Sequence, residues 1–278
     1  MSKVAIVTGA NQGLGFALVE ALCTRLEPES IVYLTARDTV RGERAAAVMT
    51  EKGLSPKLQI LDISDDASVR RFADTIRNRH GGADIVICNA AARISPDVPP
   101  SEQVASFINT NNHGTYRMIA AFMPLLKNNA RFIVVASSFG SLRHLPVELH
   151  DRFNVETRSL EDIEELMDKY VQLVVTGEAA TQGWPEWINI PSKIAQVAST
   201  RIMARLMAKD AVERGILISA VCPGLVDTEA SRPWFKDMSS AQSPAQAASD
   251  IVWLATLQSD SAHLYGELVQ HRKVIPWV

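Results

Sequence analysis

The sequence predicts an α/β fold built on a doubly wound parallel sheet. Three observations predict it: short apolar runs rich in β-branched residues recur along the chain, longer amphipathic stretches separate them, and the first apolar run ends in a glycine-rich turn. Continuous apolar runs are what strands show when helices cover both faces of a sheet. Strand and helix in alternation at this spacing give right-handed crossovers between parallel strands.

Taken in order, residues 4–8, 31–36, 58–62, 85–89, 131–137, 217–222 and 267–270 read as strands. Helical patterns occupy residues 13–26, 40–52, 65–80, 101–127, 192–214 and 244–257. The last opens with Ser243-Pro244-Ala245-Gln246, which combines an N-cap serine, a proline at the first helical position and a capping-box glutamine. Between residues 142 and 190 the rhythm stops: no strand is predicted, and Leu160, Ile163, Met167, Tyr170 and Val174 recur at helical spacing in a charged background. This segment is expected to be an inserted helix with flanking loops, docked on the parent body. With no repeat, low-complexity tract or linker, residues 1–278 read as one domain carrying the insertion 142–190.

Composition narrows the function classes. The chain of 278 residues is 47% hydrophobic and 21% charged, enough to bury one large core without disulfide or metal staples. A net charge of −3 gives no electrostatic case for nucleic acid or an anionic membrane as partner. No run approaches the about 18 apolar residues of a membrane span. The first strand begins at Val4, so no signal peptide is read and a cytoplasmic location is expected. Cys23, Cys88 and Cys222 lack CxxC spacing, so no zinc site and no disulfide framework is expected.

The first strand runs into Thr8-Gly9-Ala10-Asn11-Gln12-Gly13-Leu14-Gly15 and then a helix. Glycines at such a turn let main-chain N–H groups approach a pyrophosphate, and the helix N-terminus favours the anion. At the end of the second strand a cofactor with a free ribose 2′-hydroxyl calls for an acid. Here the chain has Thr35-Ala36-Arg37-Asp38, with Arg41 one turn beyond Arg37. Two guanidinium groups suit a 2′-phosphate, so NADP(H) is the expected cofactor.

Four motifs together are similar to those of the short-chain dehydrogenase/reductase family: TGxxxGxG, the acid in Leu61-Asp62-Ile63, the corner Cys88-Asn89-Ala90-Ala91, and Pro223-Gly224 after the sixth strand. Essentially the whole chain resembles that family. The resemblance is nearest to its monomeric NADPH-dependent carbonyl reductases, which share Thr-Ala-Arg-Asp and a helical insertion before the catalytic helix. It implies a Rossmann-like fold and a monomer whose insertion covers the usual dimer face. It also implies that Asp62 and Ile63 meet the adenine, that Asn89 lies beside the adenine ribose, and that Val226 and Thr228 hold the nicotinamide carboxamide. Cys88 and Ala91 depart from the family's usual Asn-Asn-Ala-Gly corner.

Family members reduce carbonyls with an Asn, a Ser, a Tyr and a Lys, the last two as Tyr-x-x-x-Lys. Asn111, Ser138 and Lys193 match three of these, and Asn189 stands where the tyrosine is expected. A phenol beside an ammonium donates a proton to a developing alkoxide, whereas a carboxamide only hydrogen-bonds. Pro191 between Asn189 and Lys193 predicts a catalytic helix that starts later, near Ser192. Hydride transfer to an iminium ion ends at a neutral amine and needs no acid, so the expected reaction is reduction of an imine, iminium or activated carbonyl of a bulky small molecule. Some fungal alkaloid-pathway relatives with an altered tetrad are similar in this respect, acting as iminium reductases or in a Diels–Alder cycloaddition. Two alternatives stay open: a cofactor-binding non-redox catalyst such as a cyclase or isomerase, and a catalytically silent NADP(H)-binding protein. His113, His144 and Asp168 are the candidates for a substitute acid, and Trp184, Trp187, Trp234 and Phe235 for a flat substrate wall.

Overall fold

The computed structural model describes residues 2–257 and 262–278. Its centre is an eight-stranded sheet made of β1 (Val4–Val7), β2 (Ile31–Ala36), β3 (Lys57–Ile60), β4 (Ala83–Cys88), β5 (Leu126–Val135), β6 (Leu217–Val221), β7 (Leu268–Gln270) and β8 (Lys273–Ile275). The order across the sheet is β3-β2-β1-β4-β5-β6-β7-β8. All neighbours are parallel except β7 and β8, which form an antiparallel hairpin. That hairpin turns through His271 and Arg272, both at positive φ, and β8 was not predicted because its three residues, two of them exposed, are too short a run to carry a periodic signal.

The helices are α1 (Gly13–Arg25), α2 (Thr39–Glu51), α3 (Asp66–His80), α4 (Pro100–Ile108), α5 (Gly114–Phe122), α6 (Leu160–Thr176), α7 (Asn189–Leu206), α8 (Ala208–Arg214) and α9 (Pro244–Ala255). Two apolar layers form on the two faces of the sheet, as the unbroken strands require. One packs α1 and α9 on Val7, Ile85 and Ile133; the other packs α3, α5, α6 and α7 on Ile6, Val86 and Phe132.

Four expected boundaries move. The helix expected over 101–127 is interrupted by a π-helical turn at Asn109–His113 and stops at Phe122, and β5 starts at Leu126 rather than Arg131. The helix expected to start near Ser192 starts at Asn189. Pro191 is tolerated there because it falls in the first turn, whose N–H groups have no intrahelical partner in any case. The same helix ends at Leu206, and a separate short helix, α8, follows. Within 142–190 a helix forms over Leu160–Thr176: Ser159 and Asp162 close a capping box, and Leu160, Ile163, Leu166, Met167 and Tyr170 are buried against the body.

Candidate active site

β1 lies between β2 and β4, so the crossovers leave it in opposite directions and a crevice opens at the carboxyl ends of β1 and β4. The glycine turn sits in that crevice. Gly9 holds φ +63°, and a Cβ there would stand 2.7 Å from the Ala90 Cα. A Cβ on Gly15 would stand 2.4 Å from the Gly9 carbonyl oxygen, so only hydrogen fits at either place. Asn11, Gln12 and Leu14 fill the turn. Gln12 is the N-cap of α1 and makes no side-chain cap bond, and the first turn of α1 carries no acid. The leading N–H groups of α1 are therefore left to an external anion, and the residues fit a dinucleotide pyrophosphate.

Asn89 clamps this turn. Its Nδ2 donates to the carbonyls of Thr8 (3.0 Å) and Gly9 (3.2 Å), while Thr8 Oγ1 accepts from the main-chain N–H groups of Asn89 and Ala90, each at 2.9 Å. Thr8 is thus a working part of the site that the sequence reading passed over; its signal was a threonine directly before the first glycine. Arg37 and Arg41 are exposed at the carboxyl end of β2. Asp38 caps α2, accepting from the Arg41 N–H at 2.8 Å and pairing with its guanidinium at 3.5 Å. The Arg41 N–H, more than the two guanidinium charges, holds the Asp38 carboxyl below its usual range.

Asp62 lies just past β3, its Oδ1 accepting from the N–H (2.9 Å) and hydroxyl (2.6 Å) of Ser64. Ile63 is buried against Gly114, where an added Cβ would meet it at 2.8 Å. On the far side of the crevice, Gly224 at φ +76° turns the chain after Pro223, and its N–H points to Cys222 Sγ at 3.4 Å. The loop from Leu225 to Gln242 is tied at its base by main-chain bonds of 2.8 Å from Gln242 to Leu225 and from Asp227 to Gln242. Ser231 Oγ bonds the Val226 carbonyl and the Thr228 N–H. Thr228 reaches back to the turn: its methyl lies 3.6 Å from a Cβ placed on Gly13.

The chemistry-bearing residues come from four segments. Asn111 is 1% exposed in the π-helical turn, and its Oδ1 accepts from the Ala92 N–H at 2.7 Å. Ser138 opens a short 3-10 turn after β5, and Gly140 presses that turn onto α7: a Cβ there would lie 2.6 Å from Val197 and 3.1 Å from the Lys193 carbonyl oxygen. Lys193 extends its Nζ to Gln196 Oε1 (2.8 Å) and the Val135 carbonyl (3.5 Å). Burial pushes its pKa down to about 8. Cys222 joins the same cluster: burial raises its thiol, against contacts with Gly224 and Ser138 and the Lys193 charge. Asn189 is the first residue of α7, one turn before Lys193 and on the same helix face.

No tyrosine reaches this cluster. Tyr33 bonds His80 at 2.9 Å, Tyr116 donates to Glu161 at 3.0 Å, Tyr265 donates to the Ala204 carbonyl at 2.7 Å, and Tyr170 is sealed in the core against Trp184. Two of the substitute acids are committed elsewhere as well: His113 lies between Glu164 (2.6 Å) and Asp168 (2.9 Å) of α6, which takes both His113 and Asp168 out of contention. His144 lies edge-on to Phe139 at 5.1 Å. Of the aromatic wall, Trp187 meets Phe139 at 5.1 Å and Trp234 at 5.6 Å, so three segments converge beside Ser138. Trp184 departs from expectation: it is 3% exposed and packs on Tyr170 and Phe153, because its neighbours on α6 present an apolar face to it. Phe235 is half-buried in the loop after Gly224.

A parallel sheet with a glycine turn at its switch point, and a lysine helix facing a serine turn, define a nucleotide-dependent oxidoreductase of the short-chain type. The chain belongs to the short-chain dehydrogenase family, whose sequence profile matches residues 3–148. Carbonyl reductase (NADPH) 1 from Mus musculus is 35% identical over 278 residues, covering 99% of this chain and 98% of that protein. Among solved structures, salutaridine reductase from Papaver somniferum superposes with a TM-score of 0.80 at 23% identity, over 96% of this chain and 99% of the other. Menthone neomenthol reductase from Mentha piperita gives 0.79 at 25% identity, over 98% and 100%.

Proposed function

We propose that the protein is an NADPH-dependent reductase of the short-chain type that acts on an imine, an iminium ion or an activated carbonyl of a bulky small molecule. One observation carries the choice of electrophile: Asn189 opens α7 one turn before Lys193, and all four tyrosines are engaged away from the site. In this reading Asn189 occupies the place of the family's acid. When bound, NADPH supplies the hydride. Arg37 and Arg41 favour its 2′-phosphate, the Gly9, Gly13 and Gly15 turn takes the pyrophosphate, and Lys193 and Thr228 hold the nicotinamide end. Ser138 and Asn189 orient the electrophile by hydrogen bonds; an iminium ion takes the hydride to a neutral amine with no proton added, an imine or activated carbonyl takes its proton from solvent, and Lys193 relays none.

The aromatic face made by Phe139, Trp187 and Trp234 supports a bulky, flat substrate. The chain is proposed to be one domain and a monomer, with the insertion 142–190 covering α4 and α7 through α6, in a cytosolic setting. Light scattering giving one chain mass, 30.4 kDa, is the expected result, and twice that mass overturns it. The test of function is a paired assay of NADPH oxidation with a cyclic iminium ion and a ketone of the same bulk. Turnover of the iminium alone is expected. Robust ketone turnover overturns the assignment, and turnover of neither, with NADPH binding intact, points to the non-redox or silent alternative.

A further inference from the structure

Behind Lys193 the site continues inward as a closed chain of amides and hydroxyls. Gln196, three residues on along α7, is 2% exposed. Its Oε1 accepts from Lys193 Nζ at 2.8 Å, and its Nε2 donates to the Asn111 carbonyl and to Thr115 Oγ1, both at 3.0 Å. Thr115 Oγ1 donates in turn to the Asn111 carbonyl at 2.6 Å, and Thr200 Oγ1 donates to the Gln196 carbonyl at 2.8 Å. Asn111, Thr115 and Thr200 are all buried. The amide has one workable orientation here, since the flipped form would set its NH2 against an ammonium and its oxygen against a carbonyl.

We infer that Gln196 is a positioning residue: it ties the Lys193 ammonium to the π-helical turn that carries Asn111, and so holds Lys193 as a fixed cation at the site. The inference rests on the reading that this site binds cofactor and substrate, and it adds a residue to which no family motif pointed. A carboxamide neither releases nor takes up a proton near neutral pH, and the chain ends on a main-chain carbonyl. Lys193 is therefore anchored without being resupplied with protons along this route. That fits the iminium case of the proposed function, which consumes no proton, and the carboxamide at Asn189. An apolar residue at 196 would leave the ammonium with the 3.5 Å contact to the Val135 carbonyl, and the Asn111 carbonyl with one donor fewer. Facing the ammonium, β5 presents the Val135 carbonyl, α7 the Gln196 amide, and the end of β6 the Cys222 thiol, the one titratable partner among the described residues.

The test follows acetylation of Lys193 by acetic anhydride across pH 6–10, read by peptide mass mapping, in the wild-type protein, Gln196→Leu and Gln196→Glu. Only the neutral amine reacts, so the rate reports titration of the ammonium without any cofactor. Removing the acceptor in Gln196→Leu should lower the midpoint, and the carboxylate of Gln196→Glu should raise it, each by about one pH unit. Movement in opposite directions is the signature of a bonded partner; a residue that only fills space would move both variants the same way or neither. Should Gln196→Leu fail to fold, the unbranched Gln196→Met, which also lacks the acceptor, takes its place. Unshifted midpoints, or shifts of one sign, overturn the inference. NADPH titrations over the same pH range separate it from the functional reading. Affinities that track the acetylation midpoints support both. Shifted acetylation with pH-independent NADPH affinity upholds the role of Gln196 and overturns the place of Lys193 at the cofactor.

Discussion

The two halves of the crevice are built on different principles. On the nucleotide side, the turn after β1 is held by main-chain packing and by Thr8 and Asn89, with so little space that a single methylene on Gly9 or Gly15 would enter the van der Waals shell of another backbone. On the substrate side, side chains from the π-helical turn, the turn after β5, the start of α7 and the loop after β6 meet through hydrogen bonds and aromatic edges. The first half must fit a ligand of constant shape, so its geometry is written into the backbone. The second half is proposed to choose the electrophile, through the one side chain of Asn189 set beside the frame around Lys193.

The largest effect should come from crossing the two halves back toward the family pattern. Asn189→Tyr restores a phenol one turn from Lys193 on an unbroken α7, and general acid catalysis is worth about 10²–10⁴-fold. Ketone reduction by the variant should rise by at least about 10²-fold in kcat/KM, measured as NADPH oxidation, with iminium reduction little changed. A variant that folds, binds NADPH and gains nothing on ketones would show that the substrate half is not a one-residue switch.

The nucleotide half should break all at once. Gly9→Ala drives a Cβ to 2.7 Å from the Ala90 Cα at a backbone φ of +63°, a clash of main chain with main chain in a left-handed conformation. Overpacking and strain of this kind cost about 3 kcal/mol together. Thermal melting should fall by several degrees and NADPH binding should be lost. Gly53→Ala is the control, since a Cβ there meets nothing within 4 Å and only the positive φ remains. Equal effects at the two positions would defeat the claim that packing, not conformation alone, defines this half.

What could be read from the sequence follows the same division. Seven of the eight strands, the glycine turn and the arginine just past β2 were legible because backbone periodicity and glycine placement are local properties of the chain. Where Gln196 and Trp187 would find partners was not, because those contacts join residues 85 and 48 positions apart, Asn111 with Gln196 and Phe139 with Trp187. The early start of α7 was hidden by Pro191, whose helix-breaking character holds in a helix interior but not in a first turn. Trp184 misled for a related reason: an aromatic residue near the site in sequence was turned into the core by the apolar face of α6.

A smaller effect tests how the nucleotide half selects its ligand. Arg37→Ala removes an exposed guanidinium at the end of β2 while Arg41 stays partly engaged by Asp38. NADPH affinity should fall about tenfold or more, and NADH affinity should not change, in fluorescence titrations of both nucleotides. Equal losses for the two would assign Arg37 to the fold rather than to the 2′-phosphate.

The smallest expected effect concerns a clamp outside the crevice, between the π-helical turn of the substrate half and α6. His113, in the turn that also carries Asn111, holds α6 through Glu164 at 2.6 Å and Asp168 at 2.9 Å. Burial works against its charge, but the two carboxylates outweigh burial and raise its pKa above the usual 6.5. A raised folded-state pKa means that the bonus is fully present below pH 6.5 and is lost as pH climbs through the folded value. The Asp168 side chain is 71% exposed, so Glu164 carries most of the effect, and the total is about 1 kcal/mol. Melting curves of the wild-type protein and His113→Gln should therefore differ most near pH 6 and converge toward pH 9. Protection of the α6 amides, corrected for the intrinsic pH dependence of exchange, should fall over the same interval in the wild type and stay flat in the variant. Parallel melting curves across that range would show that a neutral imidazole holds α6 as well as an imidazolium does, and that the clamp is a hydrogen bond rather than an ion pair.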